Sequence, residues 1–424
     1  MTLLIKSAFV VNPENETTMK KDVLINNGII FKIADEISYE ADDIINAEGF
    51  YLAPGFCDIH VHFRDPGYTY KEDIISGGEA AAAGGFTAVA CMPNTLPVID
   101  SPDTISYIKE KADLAAVKIY PIASITKNQQ GKELCDFAAL KAAGAIALSD
   151  DGKPVESKLL MFAAMKAANE LSLPIISHCE VLKLIRGGII NRGRISKALG
   201  VAGMDRKAEE KMIKREIELS KKANVPVHIA HVSTRKGAEL IRNAKKKGIK
   251  VTAETCPHYF LLTEDKLLSK DADYRMNPPL RTADDVSAIT EAVCDGTIDV
   301  IVTDHAPHSS EDKVDFLTAP NGVVGLETSF CASYTALVKS GLISIYKLVE
   351  MIAINPRKLL NIEGGRICEG EVADIVIFDV NSDVTVDPEK LHSKSKNTAF
   401  KGMTFTGKII YTINNGKIVF NNRK

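Results

Sequence analysis

From about residue 50 onward the chain repeats one pattern eight times: a short apolar run, then a longer amphipathic stretch. The runs are "APGFCDIHVHF", "FTAVACMPNT", "VKIYPIASIT", "AIALSDD", "LPIISHCE", "PVHIAHVST", "KVTAETCPHYF" and "IDVIVTDHAPH", separated by helical stretches such as "SPDTISYIKEKADLA" and "ESKLLMFAAMKAANEL". Strand-length apolar runs alternating with amphipathic helices read as βα units, and eight of them predict a closed, parallel (β/α)8 barrel of the TIM type. Chemistry in such barrels sits where strands end and βα loops begin. Here nearly every run finishes in His, Asp, Asn, Thr or Glu, so the polar ends are expected to meet at one mouth.

The flanks follow another period. Residues 1 to 51 ("LLIKSAFVVN", "KDVLINNGIIFKIA") and 366 to 424 ("EVADIVIFDV", "KIIYTINNGKIVF") show short alternating strands, with Asn27-Gly28 and Asn415-Gly416 as hairpin turns. Both ends are expected to form one small β-sandwich domain beside a barrel spanning residues 52–365.

With 45% hydrophobic residues and a net charge of -3, the chain can bury a large core and has no electrostatic reason to bind nucleic acid or an anionic membrane. A small molecule is the expected partner. The start "MTLLIKSAFVVNPENE" lacks the features of a signal peptide, and a cytoplasmic location is expected. Cys57, Cys91, Cys135, Cys179, Cys256, Cys294, Cys331 and Cys368 stand singly and are expected to be reduced packing residues.

Eight of the nine histidines fall in or just after the expected strands, and only His392 lies elsewhere. His60 and His62 share strand parity, about 6 to 7 Å apart along the backbone, and can bracket one ion. Strand eight closes against strand one, so Asp304 can join them. His178 and His231, at equivalent heights on strands five and six, can hold a second ion, and the Asp150-Asp151 pair ends strand four beside them. A carboxylate there can bridge two metals. Asp151 is the favoured bridge, with Asp150 the competitor, since a one-residue slip in register exchanges them. Arg64, two residues past His62 and of the same strand parity, offers a planar fork to a carboxylate beside the metal.

The stretches "GFCDIHVHFRDPG", "CMPNT", "SDDG", "SHCE", "AHVST", "ETCPHYF", "NPPLR", "TDHAPH" and "VVGLET" together resemble the bacterial class I dihydroorotases of the amidohydrolase superfamily, over essentially the whole chain. The resemblance implies two zinc ions per chain on His60, His62, Asp151, His178, His231 and Asp304. It implies Asp304 as catalytic acid-base, and substrate contacts from His62, Arg64, Asn94, Asn277 and His308 and from the backbone around Asn321 and Gly322. The reaction implied is the reversible cyclisation of N-carbamoyl-L-aspartate to L-dihydroorotate in pyrimidine biosynthesis. A homodimer is implied as well; some members associate with aspartate transcarbamoylase, and no stretch of this chain predicts such an interface. Two departures stand out. The carboxylated lysine that many superfamily members carry on strand four has no counterpart, the nearest lysine being Lys153 in the turn; and Asn321 stands where relatives often have an aromatic residue. His258 and His305 are expected to be hydrogen-bonding neighbours of the site rather than ligands. The competing readings are a hydantoinase, dihydropyrimidinase or allantoinase, which would have no use for the Arg64 and Asn94 clamp, and a metal-free scaffold relative, which would have lost ligands.

Overall fold

The computed structural model describes residues 1–423. Eight parallel strands carry the expected runs: Phe56–Val61, Phe86–Cys91, Lys118–Ala123, Ala147–Leu148, Ile176–Ser177, Val227–Ile229, Val251–Thr255 and Val300–Ile301. They form two four-stranded sheets. Single parallel bridges, Leu148 to Ile175 and Val61 to His305, join the sheets at both seams and close the barrel. We number these barrel strands one to eight.

Several strands are shorter than the apolar runs suggest, because the chain leaves the ladder early to aim polar side chains into the mouth. Strand one ends at Val61, and the residues that follow adopt loop geometry. Arg64 has φ 59°, His231 has φ 31° and Asp304 has φ 49°. Left-handed backbone is costly for such residues and persists where surrounding contacts over-determine it. The strand parity that relates His60 to His62 therefore does not extend to Arg64, whose direction is set by the turn.

The chain ends form one eight-stranded sheet. Its path runs Lys417–Asn421, Thr404–Asn414, Ile375–Thr385, Tyr51–Pro54, Thr2–Asn12, Thr17–Asn26, Ile29–Ala34, with Asp43–Asn46 added beside Thr2–Asn12. Leu3, Ile5, Val23 and Ile25 from one chain end share a buried core with Ile375, Ile377, Ile410 and Ile413 from the other. Both Asn-Gly pairs have positive φ at both residues, as a two-residue hairpin turn requires. The turns pack on each other so closely that a Cβ at Gly28 would lie 2.9 Å from the Asn415 carbonyl oxygen. Tyr51–Pro54 continues through Gly55 into barrel strand one.

The barrel floor is closed by Arg357, 2% exposed. Its guanidinium donates to the Gly55, Ala353 and Glu363 carbonyls and to Thr87 Oγ1 at 2.7, 2.9, 3.3 and 2.8 Å. The cysteines are unpaired, and six of the eight are buried. Among the described residues no helix is long and apolar enough to cross a membrane.

Candidate active site

One buried carboxylate ties two barrel strands together near the mouth. Asp58, in strand one, accepts from the His60 amide and, with its second oxygen, from the Thr303 amide, each at 2.9 Å. One side chain thereby locks the end of strand eight against strand one, and burial pushes its carboxyl up to about 7. The His62 amide donates to the His305 carbonyl at 2.8 Å. These ties bring Asp304 to the histidine pair: His62 Nε2 and His60 Nε2 lie 3.2 and 3.6 Å from Asp304 Oδ1.

Asp150 and Asp151 face opposite ways. Asp150 accepts from Ser124 Oγ at 2.6 Å, from the Ile125 and Thr126 amides at 2.8 and 3.1 Å, and from Thr126 Oγ1. Its oxygens are occupied in tying strand three to strand four. Asp151 points into the mouth. Its Oδ1 lies 3.4 Å from His60 Nε2, 3.3 Å from His178 Nδ1 and 3.4 Å from His231 Nε2, and its Oδ2 lies 3.4 Å from His62 Nε2. One carboxylate thus touches both histidine pairs, and Lys153 is not among these contacts.

The spacings fit a cation. Donor atoms about 2.0 to 2.1 Å from a tetrahedral zinc ion lie about 3.3 Å from one another, and two triads here, His60-His62-Asp151 and Asp151-His178-His231, have ligand atoms within 4.8 Å of one another. His60 Nε2 and Asp151 Oδ1 are buried without any hydrogen-bond partner. Buried polar atoms left this way call for an ion or water.

Tautomers follow from the partners behind the rings. His60 Nδ1 lies 2.5 Å from Glu254 Oε1 and His62 Nδ1 lies 2.8 Å from Asn94 Oδ1. Both partners are acceptors, so each Nδ1 carries the proton and each Nε2 offers a lone pair inward. Glu254 also receives His228 Nε2 at 3.0 Å and the His231 amide at 3.3 Å. Glu254 and Asp58 were not singled out from sequence. A carboxylate inside an apolar strand is the available signal, and "VTAET" and "FCDIHV" both carry it.

A second cluster lines the mouth beside the metal-fitting one. Arg64 Nε donates to the Pro307 carbonyl at 3.1 Å, and its Nη2 lies 3.3 Å from His308 Nε2. Among the described residues no carboxylate pairs with it: Asp65 is taken by Lys111 at 2.7 Å and by the Tyr107 hydroxyl at 2.8 Å. Burial lowers the guanidinium pKa to about 10, against the opposing pull of the Asp304 and Asp151 carboxylates farther off. His308 Nε2 lies 2.9 Å from the Asn321 carbonyl oxygen. Gly322 has φ 140°, and a Cβ there would meet the Ala306 carbonyl oxygen at 2.6 Å, so only glycine fits this loop. Asn397, from the C-terminal part of the chain, spans the cluster. Its Oδ1 accepts from the His308 amide at 3.1 Å and its Nδ2 donates to the Gly322 carbonyl at 3.0 Å. Sequence reading missed it, because its partners are remote in the chain.

Asn277 sits apart from the Arg64 group, lining a crevice with His178, Glu180 and Arg281. His258 is buried without a partner on Nε2, and burial lowers its pKa to about 4. His305 Nδ1 accepts from the Gly325 amide at 3.2 Å, and its Nε2 faces Glu72 at 3.6 Å. Neither ring belongs to the two metal-fitting triads.

Comparison with known proteins places this geometry. The family described as dihydro-orotase-like matches residues 49–237, and the amidohydrolase family matches residues 221–420. The chain is 49% identical to a dihydroorotase of Acetivibrio thermocellus over 419 residues, 98% of each chain, and 46% identical to one of Ruminiclostridium cellulolyticum, again over 98% of each. Similar solved structures include an L-hydantoinase (dihydropyrimidinase) from Arthrobacter aurescens, with TM-score 0.88, 27% identity and coverage of 100% of this chain and 96% of that one. A dihydropyrimidinase from Brevibacillus agri has TM-score 0.87 and 25% identity, with the same coverage. The barrel is thus shared among cyclic amidohydrolases, while sequence identity is far higher to one branch of them: the chain belongs to the dihydroorotase family.

Proposed function

We propose that the protein is a dihydroorotase, interconverting N-carbamoyl-L-aspartate and L-dihydroorotate at the barrel mouth. The observation that carries this reading beyond the family is Arg64, a half-buried guanidinium with no carboxylate partner among the described residues, beside the metal-fitting cluster. A buried cation lacking a counter-ion favours an anionic ligand. Hydantoin and allantoin have no carboxylate to give it.

His60, His62, Asp151, His178, His231 and Asp304 would hold two zinc ions, with Asp151 shared between them. Zinc, when bound, lowers the pKa of water toward neutrality and polarises a carbonyl oxygen. The chain's own residues supply the rest. Arg64 orients the substrate carboxylate, and Asn94, with Oδ1 held by His62, is left with its amide N–H groups as donors to the ring. Neutral His308 and the backbone at Asn321 and Gly322 complete the cradle, and Asn277 bounds the far side near His178. In ring opening, water adds to the ring carbonyl and the C–N bond breaks. Asp304 accepts the water proton and returns one to the departing ring nitrogen. In this role Asp304 enters ring opening as the carboxylate, able to accept a proton. Ring closure reverses each step, consumes one proton overall and releases water.

The test is an assay of the purified protein on dihydroorotate, hydantoin and dihydrouracil, with metal analysis of the same sample. The expected result is turnover of dihydroorotate well above the other two with two zinc ions per chain. Preference for hydantoin would sink the reading.

A further inference from the structure

His308 is flanked by groups that dictate where its proton sits. Lys71 Nζ lies 3.0 Å from Nδ1, and the Asn321 carbonyl oxygen lies 2.9 Å from Nε2. An ammonium only donates and a carbonyl only accepts. Nδ1 therefore carries the lone pair, and Nε2 carries the proton. Arg64 Nη2 lies 3.3 Å from Nε2; with the proton on Nε2 the two are donors in contact and not a hydrogen-bonded pair, and a second proton on the ring would set a full positive charge against the guanidinium.

Lys71 also screens the ring from an acid. Its Nζ lies 3.0 Å from Asp312 Oδ2, and that same oxygen lies 4.0 Å from His308 Nδ1. The ammonium thus occupies the place where a proton on Nδ1 would meet the carboxylate. Lys71 is itself held at both ends. Its carbonyl accepts from Ser395 Oγ at 2.6 Å, and its ammonium lies 5.9 and 5.4 Å from the ring centroids of Tyr68 and Tyr70.

We propose that Lys71 is a positioning residue of the active site, holding His308 neutral with its proton on Nε2 so that the ring gives an uncharged donor beside Arg64. This rests on the reading of His308 as a substrate contact. The charged or titratable groups nearest His308 are Arg64 and Lys71 from the loop after strand one, and Asp312 and Lys313 from its own loop; Tyr70, Asp271, Asp273, Glu311, Glu389, Lys394, Lys396 and Lys401 line the same cavity. Burial, together with Arg64, Lys71 and Lys313, holds the imidazole far below its usual range, at about 2. Arg64 then meets the substrate carboxylate without a proton being taken up on binding, so substrate affinity is insulated from His308 titration near neutral pH.

The experiment compares wild type, Lys71→Met and Lys71→Arg, each metal-loaded and labelled with 15N-histidine, with His308 signals assigned by their loss in His308→Gln. In wild type, His308 should show the neutral Nε2–H pattern, unchanged from about pH 5 to pH 8. In Lys71→Met the exposed Asp312 should raise the His308 pKa toward the ordinary value of about 6.5, and KM for dihydroorotate should acquire a pH dependence through that value while kcat changes less. Lys71→Arg should restore the wild-type pattern, and adding Asp312→Asn to Lys71→Met should lower the pKa again. A wild-type His308 that is cationic or protonated on Nδ1 overturns the proposal without recourse to any variant. So does a Lys71→Met ring that stays neutral on Nε2 across the range. Absence of dihydroorotate turnover in wild type would instead strike the functional reading, while the His308 spectra still decide the role of Lys71.

Discussion

A buried and a half-buried arginine mark the two ends of the barrel, and they are used in opposite ways. Arg357 at the floor is enclosed and donates to three carbonyls and a threonine hydroxyl. Arg64 at the mouth has one carbonyl from Pro307, a contact with His308 and, among the described residues, no acid paired with it. A buried cation with its donors satisfied is a structural staple; one left with free donors beside a reactive cluster is a receptor. The adjacent carboxylates Asp150 and Asp151 divide the same way. Asp150 is saturated by Ser124, Ile125 and Thr126, while Asp151 has an oxygen without any hydrogen-bond partner.

The largest effects should come from the receptor side. Asp304→Asn should lower turnover by about 10²- to 10⁴-fold in both directions, the usual worth of a positioned acid-base, with both metals retained. Activity surviving in either direction at full metal occupancy would remove Asp304 from that role. Asp151→Ala should lose metal as well as activity, whereas Asp150→Ala should lower stability first; the reverse order would undo the contrast between the pair.

The staple side should answer in stability alone. Arg357→Met leaves the Gly55 and Ala353 carbonyls buried without donors, at a cost on the order of 3 kcal/mol. Thermal denaturation should show a lower Tm, while KM for dihydroorotate stays at the wild-type value. A variant with altered KM and unchanged Tm would mean that the floor communicates with the site. Asn397→Ala lies between the classes. Losing its bonds to His308 and Gly322 should raise KM about tenfold, at about 1.4 kcal/mol, and a KM equal to wild type would reduce Asn397 to packing.

These contrasts show which parts of the design were legible in the sequence. The barrel was, because eight apolar runs with polar ends leave few other solutions, and the Asn-Gly hairpins were, because their turn geometry is local. The choice between Asp150 and Asp151 was open, since both lie at the end of strand four and only the hydroxyls of Ser124 and Thr126, just past the end of strand three, separate them. Arg64 was placed by strand parity, although strand one ends at Val61 and a left-handed turn directs the side chain. Glu254, Asp58, Lys71 and Asn397 were unread for a common reason. Each acts on a residue far away in the chain, and no periodicity encodes such pairings.

The smallest expected effect concerns Lys313, whose ammonium donates to the Ala272, Arg275 and Pro320 carbonyls at 2.9, 3.2 and 3.0 Å and so ties down the loop bearing His308. Burial lowers its pKa to about 7. Between about pH 7 and the ordinary lysine value of about 10.4, the unfolded chain binds a proton that the folded protein does not. The contribution of Lys313 to stability therefore rises with pH through that window and is flat below it. The Tm of wild type relative to Lys313→Met should shift upward as pH increases from about 7 to about 10. A shift in the other direction would mean that the buried ammonium stays charged.

Selection of a carboxylate by Arg64 at the mouth is tested by Arg64→Met assayed on dihydroorotate and on dihydrouracil at matched metal occupancy. A desolvated guanidinium-carboxylate pair is worth roughly 2 to 4 kcal/mol, so kcat/KM for dihydroorotate should fall about 30- to 1,000-fold. Any activity on dihydrouracil, which has no carboxylate, should not fall. Equal losses on the two substrates would contradict the account and make Arg64 a loop-shaping residue in a hydantoinase-like site.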